Sequence, residues 1–350
     1  MKLLQLFGVI LTLAFLSTGI AAASGADFLP VMGVTTIGSF IATGGQGVLY
    51  AGINQEIWTD ILVTEFNTAD EAGFLKEIPD ESRYVSATRG ENEVIHLSDI
   101  GADPEVLINN TTYPIGFYTQ TDADISITLD SYKTVATKVL DEEIQYISYD
   151  KIKLVQAKHV TAVKTSKYKK AIHALAPNGN TANTPVIKTT GPDDGNGRKR
   201  LVPKDILTLK EAWDELEIPE ERRILVLSTQ HHNDLLAWDL DHDTSKFAKD
   251  ETGKLKQLIE GFKVYTYVGT PYFHYSTAVK LAFGAIPTTD HYKATVAFYA
   301  PDMFKAIGKS KNYTDEPTTQ NHAWFYNVRH NYIVLPKKER AISAIISDKV

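Results

Sequence analysis

Residues 205–236 read DILTLKEAWDELEIPEERRILVLSTQHHNDLL. Ile206, Leu209, Trp213 and Leu216 recur every three or four residues, one face of an amphipathic helix. Pro219 ends that pattern, because proline lacks the amide hydrogen and disfavours helix in the residue before it. Glu220 to Arg223 make a charged turn. Ile224-Leu225-Val226-Leu227 is apolar without alternation and short, as in a central strand with both faces covered. Ser228 or Thr229 caps the helix that follows. Helix, turn, buried strand and helix in succession predict an α/β or α+β architecture, and nothing in the stretch is catalytic. It is packing machinery.

On its N-terminal side, residues 178–202 are rich in Asn, Gly, Thr, Pro and Asp, the composition of a linker. Residues 150–176 carry the best helical pattern outside the opening stretch. Ile152, Val155, Val160, Val163, Tyr168, Ala171, Ile172 and Leu175 fall at helical spacing and lysines fill much of the rest. At 1.5 Å per residue such a helix spans about 40 Å, a structural beam that Pro177 stops. Residues 78–140 are rich in Thr, Ser, Ile, Val and Tyr. Alternation at Ile125-Ser126-Ile127-Thr128-Leu129 predicts a long β-hairpin. Ile57, Ile61, Leu62 and Phe66 mark a short helix within 56–77.

Beyond Leu236 the patterns alternate between helix and strand. Phe262 to Val268 and Ala294 to Tyr299 read as strands and Met303 to Ile307 as a short helix. Tyr332-Ile333-Val334-Leu335 and Ala341 to Ile346 read as further strands.

The chain has 350 residues, 43% hydrophobic and 23% charged, enough for a substantial core. Its net charge of −7 offers no general basic field for nucleic acid. The one basic run, Arg198-Lys199-Arg200, sits in a Gly/Asp-rich segment and reads as a solvated loop. There is no cysteine, which excludes disulfides, thiolate nucleophiles and zinc–thiolate sites.

Candidate chemistry is sparse. His231-His232-Asn233-Asp234 is the most tempting cluster, yet adjacent helical histidines diverge by about 100° and no further ligand completes a metal spacing. They read as structural histidines at a helix start. Asp239, Asp241, Asp243 and Asp250 fit four positions of a calcium loop, but Thr244 replaces the required glycine and the bidentate glutamate is missing. No phosphate-binding glycine loop, nucleophile elbow or His-Glu-x-x-His occurs. The sequence therefore assigns no catalytic, cofactor or metal residue. Tyr265, Tyr267, Tyr272, Phe273 and Tyr275 lack interleaved basic residues and read as core or interface packing.

The N-terminus stands apart. Lys2, the apolar run Leu3 to Leu16 and the small residues Ala21 to Ala26 have the layout of a secretory signal peptide, residues 1–25. Residues 28–52 stay apolar and glycine-rich.

Several segments resemble one family. Ile57-Trp58-Thr59-Asp60, Phe74 to Asp80 and His96 to Ile115 are similar to segments of tailed-bacteriophage major capsid proteins, as in phages of Bacteroidetes-type hosts. So are Tyr149-Asp150-Lys151, Lys170 to Pro177, Ile218 to Ser228 and Ile259 to Tyr265, in the same order and spacing. The likeness covers residues 53–346.

It implies the Hong Kong 97-like fold. That means an N-terminal arm (26–77), an extended E-loop hairpin (78–135), a peripheral domain (136–202) with its spine helix at 150–176, an axial domain (203–330), and a return of 331–350 to the peripheral domain. It implies no enzyme but a shell subunit that assembles with itself into hexamers and pentamers in host cytoplasm. Its further partners would be a portal, scaffold or decoration proteins, and double-stranded DNA held non-specifically.

Family members start near Ile53 without a secretion signal, so residues 1–50 depart from the pattern. They are an upstream start, a cleaved leader, or an added arm that packs inside the shell or touches membrane; a true signal would imply export. Some members cross-link subunits through an E-loop lysine, but no lysine lies between Lys76 and Lys133 here. Other readings are a nanocompartment shell of the same fold, a secreted or membrane-anchored binding protein, and a hydrolase resting on the His231/Asp239 region.

Overall fold

A computed structural model describes residues 72–87, 93–100, 106, 108–111, 113–115, 122–140, 151–241 and 256–350. The leader, the arm up to residue 71 and residues 56–71 of the helix expected over 56–77 lie outside them; its last residues form a 3-10 turn, Gly73–Glu77. The strands are β1 (Val85–Ala87), β2 (Glu93–Ile100), β3 (Asp122–Thr128), β4 (Asp130–Lys133) and β5 (Thr137–Leu140), followed by helix α1 (Lys151–Ala174) and β6 (Val186–Lys188). Next come α2 (Pro203–Glu215), β7 (Arg223–Leu227) and α3 (Thr229–Asp241). The rest is strand: β8 (Leu258–Ile259), β9 (Phe262–Thr266), β10 (Tyr272–His274), β11 (His291–Lys293), β12 (Thr295–Tyr299), β13 (Met303–Asp315), β14 (Ala323–Pro336) and β15 (Ile342–Ile346).

A six-stranded mixed sheet, in the order β6-β15-β12-β7-β9-β8, explains the apolar run Ile224-Leu225-Val226-Leu227. Ile224 and Val226 face one core with Val296, Phe298, Ala344 and the end of α1. Leu225 and Leu227 face the other, with Ile206, Leu209 and Trp213 of α2 and Leu235 of α3. A central strand covered on both sides must be apolar at every position. Arg223, expected in a charged turn, is instead the first residue of β7 and only 1% exposed. Its guanidinium donates to Asp214 at 2.7 Å and to the Pro219 and Ile218 carbonyls, between the rings of Trp213 and Phe262.

α1 lies along a second sheet, in which β14 pairs with β13, β4 and β5. Val160 and Val163 pack on Tyr326 and Val328, while Tyr168, Ala171, Ile172 and Leu175 reach the large core under the six-stranded sheet. The buried stripe also holds His159, whose ring nitrogens bond the Thr134 and Thr137 hydroxyls at 2.7 and 2.8 Å. A third sheet, β1-β2-β3, contains the long hairpin.

Three expectations change. Met303 to Ile307 begins the strand β13, not a helix. Met303 and Ile307 turn to the large core, Phe304 and Ala306 to the hairpin cluster, so two-sided burial imitates a helical spacing. Residues 178–202 are not only linker, since β6 forms the edge of the six-stranded sheet, parallel to β15. The sheets also do not divide at residues 203 and 331. β13 and β14 leave the six-stranded sheet and join the α1 layer, whereas the tail rejoins it as β15, between β6 and β12. Ile342, Ala344 and Ile346 face one core and Ile345 the other, which only a central strand satisfies.

Candidate assembly surface

His231, Asp234 and Arg198 form internal bracing. β7 ends at Leu227, and Ser228 Oγ accepts the His231 N–H at 3.3 Å, starting α3. That start turns His231 inward, where Nδ1 meets Thr295 Oγ1 at 2.7 Å and Nε2 meets Ser347 Oγ at 2.9 Å. Complete burial pushes its pKa down to about 4. One turn on, Asp234 takes both arms of the Arg198 guanidinium, each at 2.8 Å, and the Leu201 N–H at 3.0 Å.

Arg198 Nε donates to Asp194 at 2.9 Å. Burial alone would raise the Asp194 carboxyl, but hydrogen bonds from Asn196 and Arg198 outweigh it and hold it below its usual range. Arg198, read as a solvated loop residue, is therefore 5% exposed. The Asp193-Asp194-Gly195 turn beside it is the signal of an internal acidic partner that its charge run conceals.

His232 remains partly exposed beside Asn233. Asp239 and Asp241 lie in the last turns of α3; Asp243 and Asp250 fall outside the described residues. Among the described residues no three His, Asp or Glu side chains converge on one point. Of the aromatic group, Phe273 is buried and Tyr265 and Tyr267 pack against the large core.

Two clefts flank α1. One, of about 600 Å³, runs past Tyr168, His173, Tyr267, Tyr272 and Phe283, with Lys169 and Lys293 on its rim. The other, of about 550 Å³, lies between α1 and the β4–β5 turn around Val135 and His159. Hydroxyls, rings and lysines line both, without a carboxylate. In the second, His159 is held between the Thr134 and Thr137 hydroxyls with no carboxylate to orient it, and neither cleft holds a carboxylate pair.

What the chain does offer is uncovered apolar surface. The connection between β2 and β3 exposes Val106 (80%), Ile108 (83%), Tyr113 and Ile115, and β3 adds Ile125. The connection between β10 and β11 exposes Ile286 and Phe283. Uncovered apolar groups on connecting segments are the candidate docking surface.

No family model matches the chain, and no curated protein matches it by sequence. Solved structures match its fold. The capsid of the cyanophage P-SCSP1u superposes with a TM-score of 0.53 at 13% identity, over 81% of this chain and 94% of that one. The capsid of Ralstonia phage GP4 gives 0.54 at 8% identity, over 78% and 87%. The mature capsid of bacteriophage PhiM1 gives 0.52 at 11% identity, over 80% and 88%. The chain has the Hong Kong 97-like capsid fold.

Proposed function

We propose that this chain is the major capsid protein of a tailed phage or prophage, a subunit that assembles with its own copies into a closed icosahedral shell around double-stranded DNA. The observation that carries the reading is the match to phage capsid subunits over most of the length of both chains. The β2–β3 hairpin with its uncovered apolar side chains supports it, because uncovered apolar groups are better buried by a neighbour than left in water. A net charge of −7 suits a wall that encloses DNA without gripping it.

On this reading the β2–β3 hairpin is the E-loop. α1 with β4, β5, β13 and β14 is the peripheral domain and its spine. The six-stranded sheet with α2 and α3, including the β15 tail, is the axial domain. The subunits form hexamers and pentamers in host cytoplasm, with portal, scaffold or decoration proteins as further partners, and end in the virion.

Electron microscopy of the purified full-length chain tests this. Closed, uniform shells are expected across a range of salt and protein concentration. A protein that stays monomeric or forms only small oligomers under all of them overturns the reading.

A further inference from the structure

A charged side chain ties the base of the long hairpin to the second sheet. Glu93 opens β2 and is 7% exposed. Its carbonyl accepts the Leu129 N–H at 2.9 Å, at the base of a ladder whose last pair is Val94 with Thr128. Its side chain crosses to the other sheet, where Oε2 accepts the Lys309 N–H at 2.8 Å and Asn331 Nδ2 at 3.2 Å. It enters where the β13–β14 ladder slips. Pairing runs to Ile307 with Tyr332 and resumes at Ser310 with His330, leaving Gly308 and Lys309 in a bulge.

Gly308 is required there for space, not for backbone freedom, since it does not adopt the left-handed conformation. A Cβ at Gly308 would collide with Glu93 Oε2 and come within 2.9 Å of both Asn331 Cβ and Leu129 Cδ2. The neighbouring contacts of Ile95, Leu129, Phe304, Ala306 and Ile333 are apolar and non-directional, and would let the hairpin pivot. A buried carboxylate seated on two N–H groups does not, because leaving those groups unpaired is costly.

We propose that Glu93 is a positioning residue, a peg seated in the β13 bulge that fixes the angle at which the β2–β3 hairpin leaves the body. It thereby fixes where Val106 and Ile108 are presented to a second copy of the chain. That consequence rests on the shell-subunit reading; the peg itself does not.

Amide hydrogen exchange on the purified, unassembled full-length chain tests it. In Glu93→Ala and in Gly308→Ala, amides of 94–100 and 122–128 should exchange about ten- to a hundredfold faster, the range for a lost charge-assisted hydrogen bond. Amides of 223–227 and 295–299, in the six-stranded sheet, should keep their protection. Glu93→Gln keeps the shape and should accelerate the same segments less. The carboxylate is the group that a Cβ at Gly308 meets most closely, so the double variant should exchange more slowly than the product of the two single effects.

Unchanged hairpin exchange in Glu93→Ala overturns the proposal. So does a loss of protection spread equally over the six-stranded sheet, or single-variant effects that multiply in the double variant. Shell formation is scored separately by microscopy. A wild-type chain that never forms shells counts against the capsid reading, while the exchange data still decide the peg.

Discussion

At Asp234 one carboxylate takes both arms of the Arg198 guanidinium, and neither residue is more than 7% exposed. Lysine keeps the charge but not the planar fork, so Arg198→Lys should lose about 2–4 kcal/mol, read from urea unfolding. His231 beside this pair makes stability depend on pH. Burial lowers its folded pKa to about 4 from about 6.5, and lowers that of His330 to about 3, with Lys167 adding to the effect. A depressed folded pKa means stability that is complete above pH 6.5 and is lost as pH falls through 4 and 3. By pH 5 the unfolded chain has taken up protons that the folded one refuses, about 2 kcal/mol for each histidine. Urea midpoints should therefore fall between pH 7.5 and 5, and His231→Asn should flatten that slope. An unchanged slope in the variant would show that His231 is not a source of it. The sequence made His231 legible as structural, because no metal spacing surrounds it. Arg198 was not legible, because its partner Asp234 lies 36 residues away.

Among elements, α1 ends in a way the sequence shows only in part. Pro177 marks the stop, but the last carbonyls find their donor in a distant loop. Lys280 Nζ donates to His173 O at 2.8 Å and to Ala176 O at 2.6 Å. Lys280→Met keeps most of the stem and removes the donor, and should destabilise the fold by about 1–2 kcal/mol. Exchange of amides 170–176 should rise before that of 151–165, and a uniform rise would contradict a capping role. The same contrast governs the strands. β7 is legible because two-sided burial leaves an all-apolar run bounded by a proline turn and a cap. β13 is misread because its start, Met303 to Ile307, is also buried on two sides, and its partner β14 pairs through a turn beyond the local window. A periodicity has no way to report which sheet a strand joins, so the passage of β15 back to the six-stranded sheet is a tertiary fact. Ala341, Ile342, Ala344, Ile345 and Ile346 read as a strand around the single polar Ser343, but their spacing names no partner strand.

At the scale of the whole molecule, the surface that matters is the one the monomer leaves bare. Val106 and Ile108 are 80% and 83% exposed in the connection of the long hairpin, and no other described side chain of this chain covers them. Burying such a side chain fully contributes about 1.5–3 kcal/mol. Replacing both by serine removes about 3 kcal/mol per subunit contact, a factor on the order of 100 in the concentration at which shells form. The Val106→Ser/Ile108→Ser chain should therefore melt like the parent while assembling only at much higher concentration, followed by light scattering. A parallel drop in melting temperature would mean that these residues serve the monomer's own core. The contact should also remain non-covalent. With no lysine between Lys76 and Lys133, the hairpin has no amine to form an isopeptide bond with a neighbour. Purified particles boiled in detergent should run as a single monomer band. A ladder whose cross-linked peptides placed the amine partner within residues 93–128 would require a group that this hairpin's side chains do not supply.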